Sequence, residues 1–208
     1  TACLGDYVET YVQRDVRQLT EIRDLSVFTR FLRLCAGRVG QIVNLSRLGD
    51  DLGVSHPTIR HWLTILEASF IVFLLPSWHT KISKRQIKRP KLYFYDVGLA
   101  AYLLSIEQPS HVSTHPSRGN LFENMVVIEA LKHRYHHAKR ENLSFWRDAK
   151  GNEVDLIIEH GANVTPLEIK VSQTVRSDDF KGLQIFANRL KAHQLRKYGG
   201  HAFSASRG

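Results

Sequence analysis

The feature that most constrains this chain is a pair of apolar strands carrying acids in register, Glu153-Val-Asp155 and Glu168-Ile-Lys170, on either side of the loop Glu159-His-Gly-Ala-Asn-Val164. A turn centred between Gly161 and Ala162 sets Asp155 opposite Glu168 and Glu153 opposite Lys170 in an antiparallel pair. Strand side chains alternate faces, so the four share one side of the sheet. Like charges directly opposite one another destabilise a sheet. A divalent cation would offset that repulsion. Carboxylates without histidine or cysteine among them suit Mg²⁺ or Mn²⁺. Lys170 would set positive charge beside a water or a phosphate oxygen. Phosphodiester hydrolysis is the chemistry such a set serves. The competing reading is an edge strand whose charged face is solvated and deters aggregation.

A third carboxylate is available from Asn120-Leu-Phe-Glu-Asn-Met-Val-Val127, at the start of a helix predicted over 121–135. Glu123 precedes Val126, Val127 and Ala130 at helical spacing, so it belongs to the face that also carries these apolar residues. Asn120 as cap and Glu123 three residues on also fit a capping box, and both readings stand. Strands are predicted over 143–147, 153–159 and 165–171, with Asp148-Ala-Lys-Gly-Asn as a turn. Ser177 is the predicted cap of a last helix with Phe180, Leu183, Ala187 and Leu190 on its apolar face.

The first half reads as helices over 6–19 (with Tyr7, Tyr11 and Leu19) and 27–36, the latter ended by Gly37 and Gly40. Asn44 to Leu52, Gly53 and a helix capped by Ser55 follow, with Pro57 in the first turn. Ile59, Trp62, Leu63 and Leu66 form a buried stripe that leaves His56, Thr58, Arg60, His61 and Thr64 outward. Strands are predicted over 70–75 and 91–95, and a helix over 96–104. Between the strands lie Lys81, Lys84, Arg85, Lys88 and Arg89, and no acid occurs from Ser69 to Phe94. Helix-turn-helix followed by a basic hairpin is the layout of a winged helix. His56, Thr58, Arg60 and His61 would then face base edges, with Lys84, Arg85, Lys88 and Arg89 on phosphate. The polar, proline-bearing stretch 109–116 divides the chain into domains at 1–108 and 109–208, mixed α/β overall.

A net charge of +9 on 208 residues favours a polyanionic partner, DNA first. Cys3 and Cys35 are too few for a disulfide framework or a cysteine zinc site, which fits a reducing cytoplasm. The run from Leu63 to Leu75 is too short to span a bilayer, so no membrane partner is expected. His133, His136 and His137 read as a solvated helix end, and Trp62, Trp78 and Trp146 as core or interface aromatics. The opening at Thr1, almost directly in a helical pattern, suggests part of a longer protein. Oligomerisation stays open.

Helix glutamate, strand aspartate and then Glu-x-Lys on the next strand resemble the PD-(D/E)xK nuclease superfamily, at Glu123, Asp155, Glu168 and Lys170. Tyr11-Val-Gln-Arg-Asp-Val16, Arg89-Pro-Lys-Leu-Tyr-Phe-Tyr-Asp-Val-Gly-Leu99, Gly119-Asn-Leu-Phe-Glu-Asn-Met-Val126 and Glu153-Val-Asp-Leu-Ile157 together resemble the C-terminal domain of unknown function of prokaryotic AAA-type ATPases. The resemblance implies a winged-helix-like domain followed by a restriction-endonuclease-like α/β domain. It implies Mg²⁺ or Mn²⁺ at Asp155 and Glu168, and an ATPase domain in the full-length protein. This chain has no Gly-x-x-x-x-Gly-Lys-Ser/Thr loop, so ATP enters only through that missing N-terminal domain. The alternative function is a catalytically inactive DNA- or protein-binding regulatory module of the ATPase.

Overall fold

A computed structural model describes residues 24–78, 89–161, 163–172, 174 and 176–197, together with residues 5, 8 and 10. Apart from residues 8 and 10, the helix predicted over 6–19 lies outside them. So do Cys3, Lys81, Lys84, Arg85 and Lys88.

Asp24 starts helix α1 (Leu25–Ala36), its Oδ1 accepting the N–H groups of Ser26 and Val27 at 2.9 and 3.2 Å. That cap begins the helix two residues before the predicted 27. Phe28, Phe31, Leu32, Cys35 and Ala36 recur at helical spacing and are buried together. Burial pushes the Cys35 thiol up to about 12, so its sulfur is a packing atom and not a nucleophile. Helix α2 (Leu45–Leu52) is capped by Asn44 and closes on Gly53, whose φ of +68° suits a residue without Cβ. Helix α3 (His56–Ala68) begins at Ser55, whose Oγ accepts the Thr58 N–H at 3.3 Å. Its predicted stripe is buried, and Trp62 packs on Phe28 and Phe31 with ring centroids 5.4 and 5.5 Å apart.

Strands β1 (Val72–Leu75) and β2 (Lys91–Phe94) pair antiparallel, Val72 opposite Phe94 and Leu75 opposite Lys91. The first begins two residues after the predicted 70. Phe70 has a φ of +54°, and the Ile71 N–H closes back on the Leu66 carbonyl at 2.9 Å. Helix α4 (Val97–Leu103) is capped by Asp96. A short helix α5 (Pro109–Val112) occupies part of the stretch read as a linker, and the long helix α6 (Arg118–His136) follows.

The second sheet is antiparallel in the order β3 (Leu143–Arg147), β4 (Glu153–His160), β5 (Asn163–Leu167). Leu156 faces Leu167 and His160 faces Asn163, the register expected from a turn centred after Gly161. Strand β5 ends at Leu167 and does not run to the predicted 171, so Glu168 and Lys170 lie just past it. There the Ile169 N–H donates at 2.9 Å to the Asp155 carboxylate, a side chain standing where a ladder carbonyl would otherwise accept.

A 3-10 turn (Ser177–Phe180) leads into helix α7 (Lys181–Lys197). Ser177 is not the cap predicted for it. Asp179 Oδ2 accepts the Arg176 N–H at 2.8 Å, so the entry is organised one residue earlier. Helix α7 buries Phe186 fully, against Trp146, Val154 and Ile157, while Phe180 stays exposed.

The two halves meet. Phe145 on β3 donates its N–H to Pro76 and accepts from the Trp78 N–H, at 3.0 and 2.6 Å, extending β1 onto the second sheet. Leu75 and Tyr93 from the hairpin pack with Val127, Ile128 and Leu131 of α6 and with Leu143, Phe145 and Leu156 of the sheet. This is a mixed α/β fold of seven helices and two small antiparallel sheets among the described residues.

Helix α7 is seated on β4 through Gly182, where an added Cβ would stand 1.9 Å from the Glu153 carbonyl oxygen. Gly182→Ala is expected to cost about 1–3 kcal/mol through forced displacement of the helix, read as a lower urea midpoint at unchanged slope. With Cys3 replaced by serine, Cys35 should resist iodoacetamide at pH 8 in the native chain and react once urea unfolds it.

Candidate functional site

The acids gather where β4 departs from regular pairing. Ser144 faces Ile157 and Trp146 faces Val154, so β3 advances two residues while β4 advances three. The extra residue is a β-bulge at Asp155 and Leu156, a device that re-aims side chains. Val154 and Ile157 pack on α7, whereas Leu156 packs with α6. Asp155 turns the same way as Leu156, toward a cation from the first half.

That cation is Lys91, at the start of β2 and only 2% exposed. Its Nζ lies 2.8 Å from Glu123 Oε1 and 3.7 Å from Asp155 Oδ1, and it also contacts Glu153 Oε1. Tyr93, two residues along the same strand face, donates its hydroxyl to Glu123 Oε1 at 2.5 Å. Arg147 pairs with the other Glu153 oxygen at 3.0 Å. The backbone holding Lys91 is fixed on both sides. Leu75 flanks it in β1, and Ile42 bridges to it from the loop after α1.

Helix α6 is docked by two asparagines. Asn124 is fully buried and serves both backbone groups of Phe94: its Oδ1 accepts the N–H at 2.8 Å and its Nδ2 donates to the carbonyl at 2.9 Å. Asn120 Nδ2 donates to the Val39 carbonyl at 2.8 Å. The capping-box reading of Asn120 and Glu123 is therefore overturned. The helix begins earlier, at Arg118, and both side chains are committed to tertiary partners. Gly40, with a φ of +72°, lies against Glu123, where a Cβ would come within 3.2 Å of Oε2.

Past β5, Glu168 Oε1 pairs with Lys170 Nζ at 2.7 Å, and Lys170 is half-exposed. Glu168 Oε2 is buried without a hydrogen-bond partner. Burial pushes the Glu168 carboxyl up, opposed by Lys170, and Asp155 and Glu153 add repulsion. Burial likewise raises Glu123, opposed by Lys91. Burial works against the Lys91 ammonium, but Glu123, Glu153 and Asp155 outweigh it and hold the lysine protonated. Burial outweighs the Lys91 ammonium at Glu123, and the nearby Asp155 charge adds to it, so Glu123 stays raised. Four carboxylates here face Lys91, Arg147 and Lys170, an excess of one negative charge.

Asp155 and Glu168 offer hard oxygen donors of the kind Mg²⁺ and Mn²⁺ take, and the buried Glu168 Oε2 has no hydrogen-bond partner competing with one. Among the described residues no group of three or more histidines, cysteines, aspartates or glutamates is arranged to hold a metal. Lys91 occupies the middle of the cluster in place of such a set. Glu123, Asp155 and Lys91 are thus brought together, with Glu168 and Lys170 at the margin.

The residues expected on nucleic acid lie elsewhere. His56, Arg60 and His61 are exposed on α3, and Thr58 is half-buried with its hydroxyl 2.8 Å from Ser55 Oγ. Arg89 is exposed, whereas Lys84, Arg85 and Lys88 lie outside the described residues. The His133 and His137 rings lie 4.3 Å apart, tilted by 42°, at the C-terminal end of α6, on exposed positions.

Sequence reasoning missed Lys91 and Tyr93. Their signal was present: two polar residues two apart on an otherwise apolar strand, in a stretch with no acid from Ser69 to Phe94. A buried lysine in such a place must find its carboxylates from distant segments. Replacing Asn124 with leucine leaves two buried backbone groups of Phe94 without partners. The expected loss is roughly 2–4 kcal/mol, measured by urea unfolding.

Uncharacterised proteins of Mycobacterium bovis and Mycobacterium tuberculosis are each 29% identical to this chain over 170 residues, 81% of the chain and 37% of the relative. An uncharacterised protein of Haemophilus influenzae is 25% identical over 138 residues, 64% of the chain and 32% of the relative. The chain thus spans about a third of the length of these relatives. No solved structure matches it. Residues 118–204 match a domain of unknown function (DUF4143), a type associated with AAA ATPases. Residues 1–110, more than half of the chain, match a domain of unknown function (DUF8612), and the chain belongs to that family.

Proposed function

We propose that this chain is the DNA-binding, nuclease-like C-terminal region of an AAA-type ATPase, with a phosphodiester-hydrolysing centre at Glu123, Asp155, Glu168 and Lys170. The observation that carries the reading is the meeting of acids from α6, from the β4 bulge and from the end of β5, with Glu168 Oε2 buried and unpartnered beside them. Asp155 and Glu168 would hold Mg²⁺ or Mn²⁺, which when bound supplies a polarised phosphoryl oxygen and an acidified water. Asp155 is positioned by its bond from the Ile169 N–H, and Glu123 by Lys91 and Tyr93. Lys170, half-exposed, reaches outward to a phosphate oxygen or the attacking water.

DNA would be gripped by the first half. Helices α2 and α3 followed by the β1–β2 hairpin have the order of a winged helix, and His56, Arg60 and His61 are exposed at the start of α3. The net charge of +9 favours a phosphate backbone. ATP would be handled by a separate ATPase domain of the longer protein. The cytoplasm is the compartment we assign. Among the described residues no helix is long and apolar enough to cross a membrane.

The second reading, a regulatory module without catalysis, is favoured by Lys91. Its ammonium already balances much of the acidic cluster, and among the described residues no group of three or more histidine, cysteine, aspartate or glutamate side chains is arranged to hold a metal. One experiment separates the two. Plasmid and single-stranded DNA are incubated with the chain and Mg²⁺ or Mn²⁺. Cleavage that Glu168→Ala and Lys170→Ala each abolish is the expected result. A wild-type chain that cuts neither substrate removes the hydrolytic reading. DNA affinity in the same samples should then fall steeply with salt if the regulatory module still binds phosphate.

A further inference from the structure

The acids of the site come from the second half of the chain, but the cation at their centre does not. Lys91 is carried in by β2, and its backbone is held by Leu75 on one side and Ile42 on the other. Its ammonium lies over an aromatic ring of the shared core, Nζ 5.5 Å from the centroid of Phe145. Almost none of the side chain is exposed, so Glu123, Glu153 and Asp155 take the place of solvent around the ammonium. The dependence is mutual. Without Lys91, three acids of α6 and β4 would face one another, offset among the described residues by Arg147 at the rim on Glu153 and by the more distant Lys170, whose charge acts on Asp155.

We infer that Lys91 is a positioning residue of this site: the resident counter-cation that assembles Glu123, Glu153 and Asp155 across the two halves, and whose place a divalent cation can take. The metal part of this inference rests on the hydrolytic reading of the same site. It makes the site composite, since the second half alone lacks the charge around which its acids are arranged. It also assigns Lys91 and Tyr93 a task apart from the basic residues of the hairpin. Those would meet phosphate at the surface, whereas these two point inward to Glu123.

The test uses the whole chain and Mn²⁺ alone as probe. Wild type, Lys91→Met and Lys91→Arg are compared by thermal unfolding in EDTA and in Mn²⁺, and by Mn²⁺ titration followed by electron paramagnetic resonance. Lys91→Met should melt lower in EDTA, regain most of the loss in Mn²⁺ and bind the ion at least about tenfold tighter than wild type, because a buried charge has been removed from beside the acids. Lys91→Arg, which keeps the charge, should follow wild type in its response to Mn²⁺. An equal Mn²⁺ response in wild type and Lys91→Met overturns the inference. If Lys91→Met does not fold in EDTA, the comparison is repeated with Lys91→Met/Glu153→Gln against Glu153→Gln, one buried charge fewer, and the same two outcomes decide. DNA cleavage takes no part in the readout. A wild-type chain that cuts nothing while Lys91→Met gains Mn²⁺ affinity sinks the hydrolytic reading and leaves this one. Cleavage without that gain does the reverse.

Discussion

The structure turns on one buried ammonium. Lys91 ties β2 of the first half to α6 and β4 of the second by shared charge. Such a cluster is not a large source of net stability, because taking ions out of water costs nearly as much as their attraction returns. Its effect is on specificity. A carboxylate displaced from Lys91 would lose its buried counter-charge and keep a single partner, Tyr93 for Glu123, Arg147 for Glu153 or the Ile169 N–H for Asp155, which favours one arrangement of α6, β4 and the hairpin. Asn124 enforces the same arrangement with uncharged groups, by bonding both backbone atoms of Phe94 one strand position beyond Tyr93.

Around that centre the packing is continuous. The hairpin supplies Leu75 and Tyr93 to the core that α6 and the three-stranded sheet build. The opposite face of the sheet is closed by Phe186 of α7 against Trp146, Val154 and Ile157. The bulge shifts the alternation of β4 by one residue, so that Val154 and Ile157, three apart, share the face toward α7 while Leu156 stands on the other. The same irregularity brings Asp155 to the side of Lys91. One local backbone feature thus closes the core and shapes the acidic site.

Much of the fold was readable because it follows from short-range rules. Ser55 caps the helix it precedes, Gly53 ends one in a left-handed turn, and the 143–147 strand has its expected bounds. The β4–β5 register followed from turn length alone, since a two-residue period leaves no freedom once the centre is set. Misreadings arose where a side chain had a distant partner. Asn120 and Glu123 match a capping box in spacing, but Val39, Lys91 and Tyr93 claim them. Ser177 matches a cap, but Asp179 organises the turn from Arg176. Phe186 went unremarked on an apolar face credited to its neighbours, because several faces of α7 carry apolar residues and only the sheet selects one.

The sequence by itself determined most of the helices and strands, the Ser55 cap, and the β4–β5 register that brings Glu168, just past β5, beside Asp155. These depend on periodicity and turn length, which local residues set. Only the tertiary structure decided that a lysine 32 residues before Glu123 would stand among the acids, that β4 would bulge at Asp155, and that the two halves would share a core. Charge compensation and close packing act through space, and a buried ion is placed by whichever segments can surround it, however far apart they lie along the chain.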